Sequence, residues 1–108
     1  MTNHEFFTGI YEPYQKAFMT PRTSYERSNK IKLYLLQYYG EDSPSNVSSH
    51  AINAVYDEMK SRGLANNTIY GTRAALMSFF KMASEYGECC SNPVADARLI
   101  RQEIERSA

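Results

Sequence analysis

The stretch NNTIYGTRAALMSFFKMASEYG, residues 66–87, decides the fold. At 100° per residue, Ile69, Leu76, Phe80 and Ala83 fall on one face, flanked by Phe79, Met82 and Tyr86, so the segment reads as an amphipathic helix ending near Tyr86. Asn66 or Asn67 is the expected N-cap and Gly87 the expected stop. The opposite face carries Asn67, Gly71, Ala74, Ser78, Lys81 and Glu85, small in the middle and polar at both ends. Such a face is most often plain solvent surface. Small residues at i, i+3 and i+7 also let another body, such as a DNA backbone, come close to a helix.

Working back along the chain, Ser48 or Ser49 can cap a helix running to about Arg62, with Ile52, Val55, Tyr56 and Met59 on one face and Gly63 as its stop. Glu41 to Asn46, rich in Asp, Ser, Pro and Asn, reads as a loop. Before it, a helix is expected from Thr23 or Ser24 to Gly40. Glu26 lies three residues after Thr23 in a capping-box pattern, and Ile31, Tyr34, Leu35 and Tyr38 form a stripe that Leu36 and Tyr39 widen, which predicts a mostly buried helix. Thr20-Pro21 breaks the chain, and Glu5 to Phe18 forms a first, aromatic-rich helix in which Gly9 and Pro13 predict a bend or a late start. Downstream, Asn92-Pro93 closes the globular part. Val94, Leu99, Ile100 and Ile104 are expected to pack only weakly in a charged tail.

With no strict alternation long enough to demand a sheet, the fold class is all-α. The 108 residues suit one core, and 43% hydrophobic residues with 12 basic against 12 acidic side chains exclude a disordered chain. No apolar run approaches a membrane span, and the first residues lack the pattern of a signal peptide, so a cytoplasmic protein with no membrane partner is expected. The adjacent cysteines, Cys89 and Cys90, disfavour an ordinary disulfide. His4 and His50 do not have metal-finger spacing, so neither metal nor cofactor is expected.

A catalytic constellation cannot be assembled from these residues. The nucleophile-elbow, phosphate-loop, dinucleotide, zinc-protease and calcium-loop patterns are absent. His4 in a frayed terminus and His50 in the first turn of an exposed helix read as surface residues, and Tyr34, Tyr38 and Tyr56 as buried rings with wet hydroxyls. Cys89 has no evident base beside it. The charge map is more informative, because Lys16 to Gly40 holds five basic residues against one acid on a chain that is neutral overall.

The order of these elements resembles the core-binding, SAM-like N-terminal domain of phage integrases, in the tyrosine recombinase family. The likeness is carried by Ser24-Tyr25 leading to Leu35-Leu36-Gln37-Tyr38-Tyr39-Gly40. It continues through Val47, Ile52 and Tyr56 to Lys60-Ser61-Arg62-Gly63-Leu64. It is sharpest at Asn67-Thr68-Ile69, Ala75-Leu76-Met77-Ser78-Phe79-Phe80-Lys81-Met82-Ala83, Gly87 and Asn92-Pro93. It covers roughly residues 5–97, and its specificity lies in the conjunction of these elements in order. The resemblance implies a four-helix DNA-binding domain over 1–97, with 98–108 a linker toward a separate C-terminal catalytic domain. Such a domain forms half of a clamp around duplex DNA at a recombination site and works beside other recombinase protomers. The chain itself is then not an enzyme, and no tyrosine in it takes the nucleophile's role.

By position, the resemblance puts the second and fourth helices against DNA. Asn67 and Thr68 would offer a helix N-terminus to a phosphate, and Tyr70, Gly71, Ala74, Ser78 and Lys81 would line the DNA side. Many family members have basic residues directly after Thr-Ile, whereas here the charge first appears at Arg73. From the second helix Arg22, Arg27, Lys30 and Lys32 are the expected phosphate partners, with Lys30 best placed. The competing expectation is a small helical module whose exposed Tyr and Met residues bind a protein.

Overall fold

The computed structural model describes residues 1–95, and among these it is all-α. Helix α1 covers residues 3–18, α2 residues 21–39, α3 Ser49–Ser61 and α4 Asn66–Glu85. A 3-10 turn, Pro44–Asn46, lies between α2 and α3. Among the described residues no helix is long and apolar enough to cross a membrane. The expected linker over 98–108, with Leu99, Ile100 and Ile104, lies outside the described residues.

The N-terminus is anchored rather than frayed. Thr2 and Glu5 form a reciprocal capping box that starts α1 at Asn3. Asn3 donates from its backbone to the Asp42 carbonyl at 2.7 Å and from its side chain to the Tyr39 carbonyl at 2.9 Å, while the His4 N–H donates to the Gly40 carbonyl at 3.0 Å. These bonds fasten the start of α1 to the end of α2. Pro13 cannot supply an N–H to the carbonyl of Gly9 and crowds it. The preceding turn, Phe7–Tyr11, is widened into a π-helical turn, so the helix stays continuous through Pro13 instead of starting late. A second π-helical turn, Lys32–Leu36, lies in α2. Lys32 links the two helices there, its ammonium 3.7 Å from Glu12 Oε2 and 5.8 Å from the centre of the Phe7 ring.

Two expected caps are corrected. Helix α2 starts at Pro21, not near Thr23: Thr20 is the N-cap and its hydroxyl accepts the Thr23 N–H at 3.2 Å. Proline is favoured in the first turn, where its missing N–H is no loss. Glu26, freed from the expected capping box, pairs with Arg22 at 3.1 Å. Helix α4 has Ala65 as its N-cap, with no side chain capping it, so neither asparagine has the expected role. Helix α3 is capped by Ser48, as one of the two expected serines. Gly63 and Gly87, at φ +74° and +76°, stop α3 and α4 in the left-handed conformation that side chains disfavour.

Ile31, Leu35, Ile52, Val55, Ile69, Leu76 and Phe80, each on an expected apolar face, are all buried in one cluster. Around them lie Phe6, Phe7, Tyr11 and Phe79, with Phe79 5.4 Å from the rings of both Phe6 and Tyr11 and 5.2 Å from Phe80. Val94 belongs to this core rather than to a weakly packed tail. The Asn92 side chain, which donates to the Met77 carbonyl and accepts the Val94 N–H, turns the chain inward there. Helix α2 is less buried than its stripe suggests. Ser24, Ser28, Ile31 and Leu35 are its buried residues, Tyr34 is half-buried, and Tyr38 is exposed, as is Tyr86 in α4's flank. Leu36 and Tyr39, which widen the stripe, pack partly buried against the core, and Tyr38 at its edge reaches the surface.

Tyr56 is fully buried and its hydroxyl has no hydrogen-bond partner, contrary to the expected wet hydroxyl. Burial pushes its ionisation well above the ordinary 10.0, outweighing the nearby Arg73 charge. Tyr11 is raised as well, again by burial, against a hydrogen bond to Ser78 and the charge of Arg27. Above pH 10 the unfolded chain therefore releases protons that the folded chain retains. Stability should fall there, by up to about 1.4 kcal/mol per pH unit for Tyr56, with Tyr11 acting in the same direction. Tyr56→Phe removes an unpartnered buried hydroxyl, so it should be neutral or slightly stabilising at pH 7 and should make the alkaline decline shallower. Urea unfolding at pH 7, 10 and 11 measures both, and an unchanged alkaline slope contradicts this account of Tyr56.

Candidate nucleic-acid interface

Residues spaced i, i+3/i+4 and i+7 from Thr23 share one face of α2, and that face meets the small face of α4. Between them lies a cleft of about 520 Å³. Helix α2 contributes Thr23, Glu26, Arg27 and Lys30, and α4 contributes Asn67, Thr68, Gly71 and Ala74. The cations sit on the α2 wall, and the opposite wall carries almost no side-chain bulk. Lys30 rests with its ammonium 5.9 Å from the centre of the Tyr34 ring. Arg27 acts on the buried Tyr11, whose hydroxyl donates to Ser78 Oγ at 3.2 Å. Glu26 is the acid on the cleft, and its carboxylate is held by Arg22 Nε at 3.1 Å. That pairing compensates its charge and leaves Arg27 and Lys30 as the positive potential of the site.

Gly71 is the most informative residue. A glycine inside a helix costs about 1 kcal/mol relative to alanine. Packing does not require it, because a Cβ placed on Gly71 meets nothing within 4 Å. Together with exposed Ala74 it leaves room for the backbone of another molecule to approach α4 directly. The α4 N-terminus adds to this. With no side-chain cap, the N–H groups of Asn66 and Asn67 at the start of α4 face the cleft region without a capping acceptor, whereas the Thr68 N–H is held by the Ala65 carbonyl at 3.0 Å.

Of the residues expected to touch DNA, Arg27, Lys30, Asn67, Thr68, Gly71 and Ala74 meet in this cleft, and the others do not line it. Lys32 is two residues, or 200°, around α2 from Lys30 and faces α1, where it is engaged with Glu12 and Phe7. Arg22 is exposed at the rim as the partner of Glu26. Tyr70 is half-buried against the core. Arg73 is half-buried, its Nε fully covered without a hydrogen-bond partner, and its charge acts on Tyr56 of α3. Ser78 is occupied by Tyr11, and Lys81 is exposed about 10 Å further along α4 than Ala74. Thr23 and Glu26 were absent from the expected set although they share Lys30's face, a signal that grouping by charge alone passes over.

Other chemistry is sparse. Cys89 is buried, with its Sγ 3.8 Å from the Phe80 carbonyl, and burial pushes its thiol up, so it is no ready nucleophile. Cys90 is exposed and the two thiols are free of each other. Among the described residues no three His, Cys, Asp or Glu side chains are gathered as a metal site. No family model, curated protein or solved structure matches the chain.

Proposed function

We propose that this chain is a duplex-DNA-binding module of a site-specific tyrosine recombinase, with the SAM-like core-binding fold, and that it grips the DNA backbone through the α2–α4 cleft. The observation that carries this reading is the unpacked Gly71 set opposite Arg27 and Lys30. It offers a phosphate chain close approach on one wall and positive charge on the other. The resemblance of the helix order to integrase core-binding domains supports the same assignment. Phosphate contacts dominate, because few long side chains on these walls can reach base edges, so the isolated module binds weakly and with little sequence preference.

Fluorescence anisotropy on a labelled duplex across a salt series tests this. Affinity should fall steeply with salt, since each neutralised phosphate releases condensed counterions. The double substitution Arg27→Ala/Lys30→Ala should weaken binding and flatten the logarithmic salt slope by about two units. In the same reactions no covalent protein–DNA adduct should form, because no activated nucleophile with cationic transition-state stabilisers can be assembled from the described residues. An adduct through any tyrosine overturns the assignment as a non-catalytic module.

A protein-binding module is the second reading. Its support is the exposed pair Tyr14 and Phe18 on α1, with ring centres 4.8 Å apart and Phe18 70% exposed. Binding that changes little with salt and is lost in Phe18→Ala favours this reading over DNA.

A further inference from the structure

On the side of α2 away from the DNA cleft, a second groove of about 410 Å³ lies between α1 and α2. Its size is within the range of small-ligand pockets. Its charged part is a three-residue chain. Glu12 lies between two ammonium groups, with Lys16 Nζ and Lys32 Nζ each 3.7 Å from one of its oxygens. One carboxylate against two lysines leaves a net positive charge, and both lysine side chains stay more than half exposed, so they can turn toward an anion. The apolar part is the Tyr25 ring, 72% exposed at the groove. The polar part is Asn29 and Ser28. Ser28 is 93% buried by its 7% exposure, and its hydroxyl has no hydrogen-bond partner. Buried hydroxyls are rarely left without one, and this one lies in the groove wall with almost no surface open to it.

From this combination we propose that the α1–α2 groove is a binding site for a nucleoside monophosphate. Its phosphate sits against Lys16 and Lys32, its base stacks on Tyr25, and its sugar hydroxyls meet Asn29 and the Ser28 hydroxyl once that unpartnered group turns outward. An anion alone would use the lysines and leave the ring unused, and an apolar ligand would leave the ammonium pair unused. The proposal does not rest on the DNA reading, because it uses neither Lys30, Arg27 nor α4.

The test is a ¹H–¹⁵N NMR titration of the whole chain at low salt with adenosine 5′-monophosphate, and separately with inorganic phosphate. The nucleotide should give saturable shifts at Lys16, Tyr25, Ser28, Asn29 and Lys32 while Asn67 and Gly71 stay still. Phosphate alone should bind at least about tenfold more weakly, since it has no ring to stack. Tyr25→Ala should weaken nucleotide binding by about fivefold or more without altering the fold. Ser28→Ala should weaken nucleotide binding while leaving the thermal midpoint of the free chain unchanged or higher, an outcome that a purely structural serine would not produce. Equal affinity for phosphate and nucleotide, indifference to Tyr25→Ala, or shifts confined to the α2–α4 cleft each overturn the proposal.

Discussion

Phe79→Ala is expected to cost about 3 to 5 kcal/mol of folding stability, the upper range for loss of a buried aromatic ring. Phe79 has no exposed surface, and its ring is the hub that meets Phe6, Tyr11 and Phe80 within 5.2 to 5.4 Å. Its removal leaves a cavity bounded by three other rings that are anchored by their own helices, so collapse cannot easily refill it. The edge-on contacts with Phe6 and Phe80 are lost as well. Domains of this size are stable by roughly 5 to 15 kcal/mol, so the variant should lose a large share of its stability. Leu76→Ala, also at a fully buried site, should cost about 2 to 5 kcal/mol. Urea unfolding followed by circular dichroism measures both. A loss below about 1 kcal/mol for Phe79→Ala means that the aromatic hub does not hold α1 on α4.

The second large effect is on binding and has the opposite sign for stability in its control variant. Gly71→Ala should stabilise α4 by up to about 1 kcal/mol, because alanine is the better helix former and its methyl enters open space. Gly71→Glu places a long carboxylate on the floor of the cleft, facing the wall that holds Arg27 and Lys30. It blocks close approach and neutralises the cations, so duplex binding should weaken by tenfold or more, about 1.4 kcal/mol, with the helical spectrum unchanged. Anisotropy titration of the two variants separates space from charge. If Gly71→Glu binds duplex as well as the parent chain, the cleft is not the DNA site.

Much of the architecture was legible in residue order because helices answer to a local period. The Ile69, Leu76, Phe80 and Ala83 face, the Ile52 to Met59 face and the stops at Gly63 and Gly87 involve residues within one or two turns of each other, and all stand where the periodicity put them. Caps were less legible. Thr20-Pro21 and Thr23 both offer a start to α2, and the choice turned on proline's tolerance of the first helical turn. Tyr38 and Tyr86 occupy apolar positions on their helices yet keep much of their surface in water, because a neighbouring helix covers only one side of each: the Tyr38 hydroxyl accepts from Arg62 beside α3, and Tyr86 packs edge-on against Phe6 of α1.

The site divides along the same line. Residue spacing along single helices is enough to show which residues present a small, polar face on α4 and where positive charge accumulates along α2. Only the packing of α2 against α4 decided that Arg27 and Lys30, and not Lys32, share a cleft with Gly71 and Ala74. Neighbouring lysines two residues apart project 200° from each other, so the choice between them belongs to the face that meets α4. The bonds from Asn3 and His4 to the end of α2, the burial of Val94 and the widening of the helix before Pro13 are likewise tertiary decisions. Each satisfies a backbone group or fills a space through a partner distant in sequence, and no local pattern records such a partner.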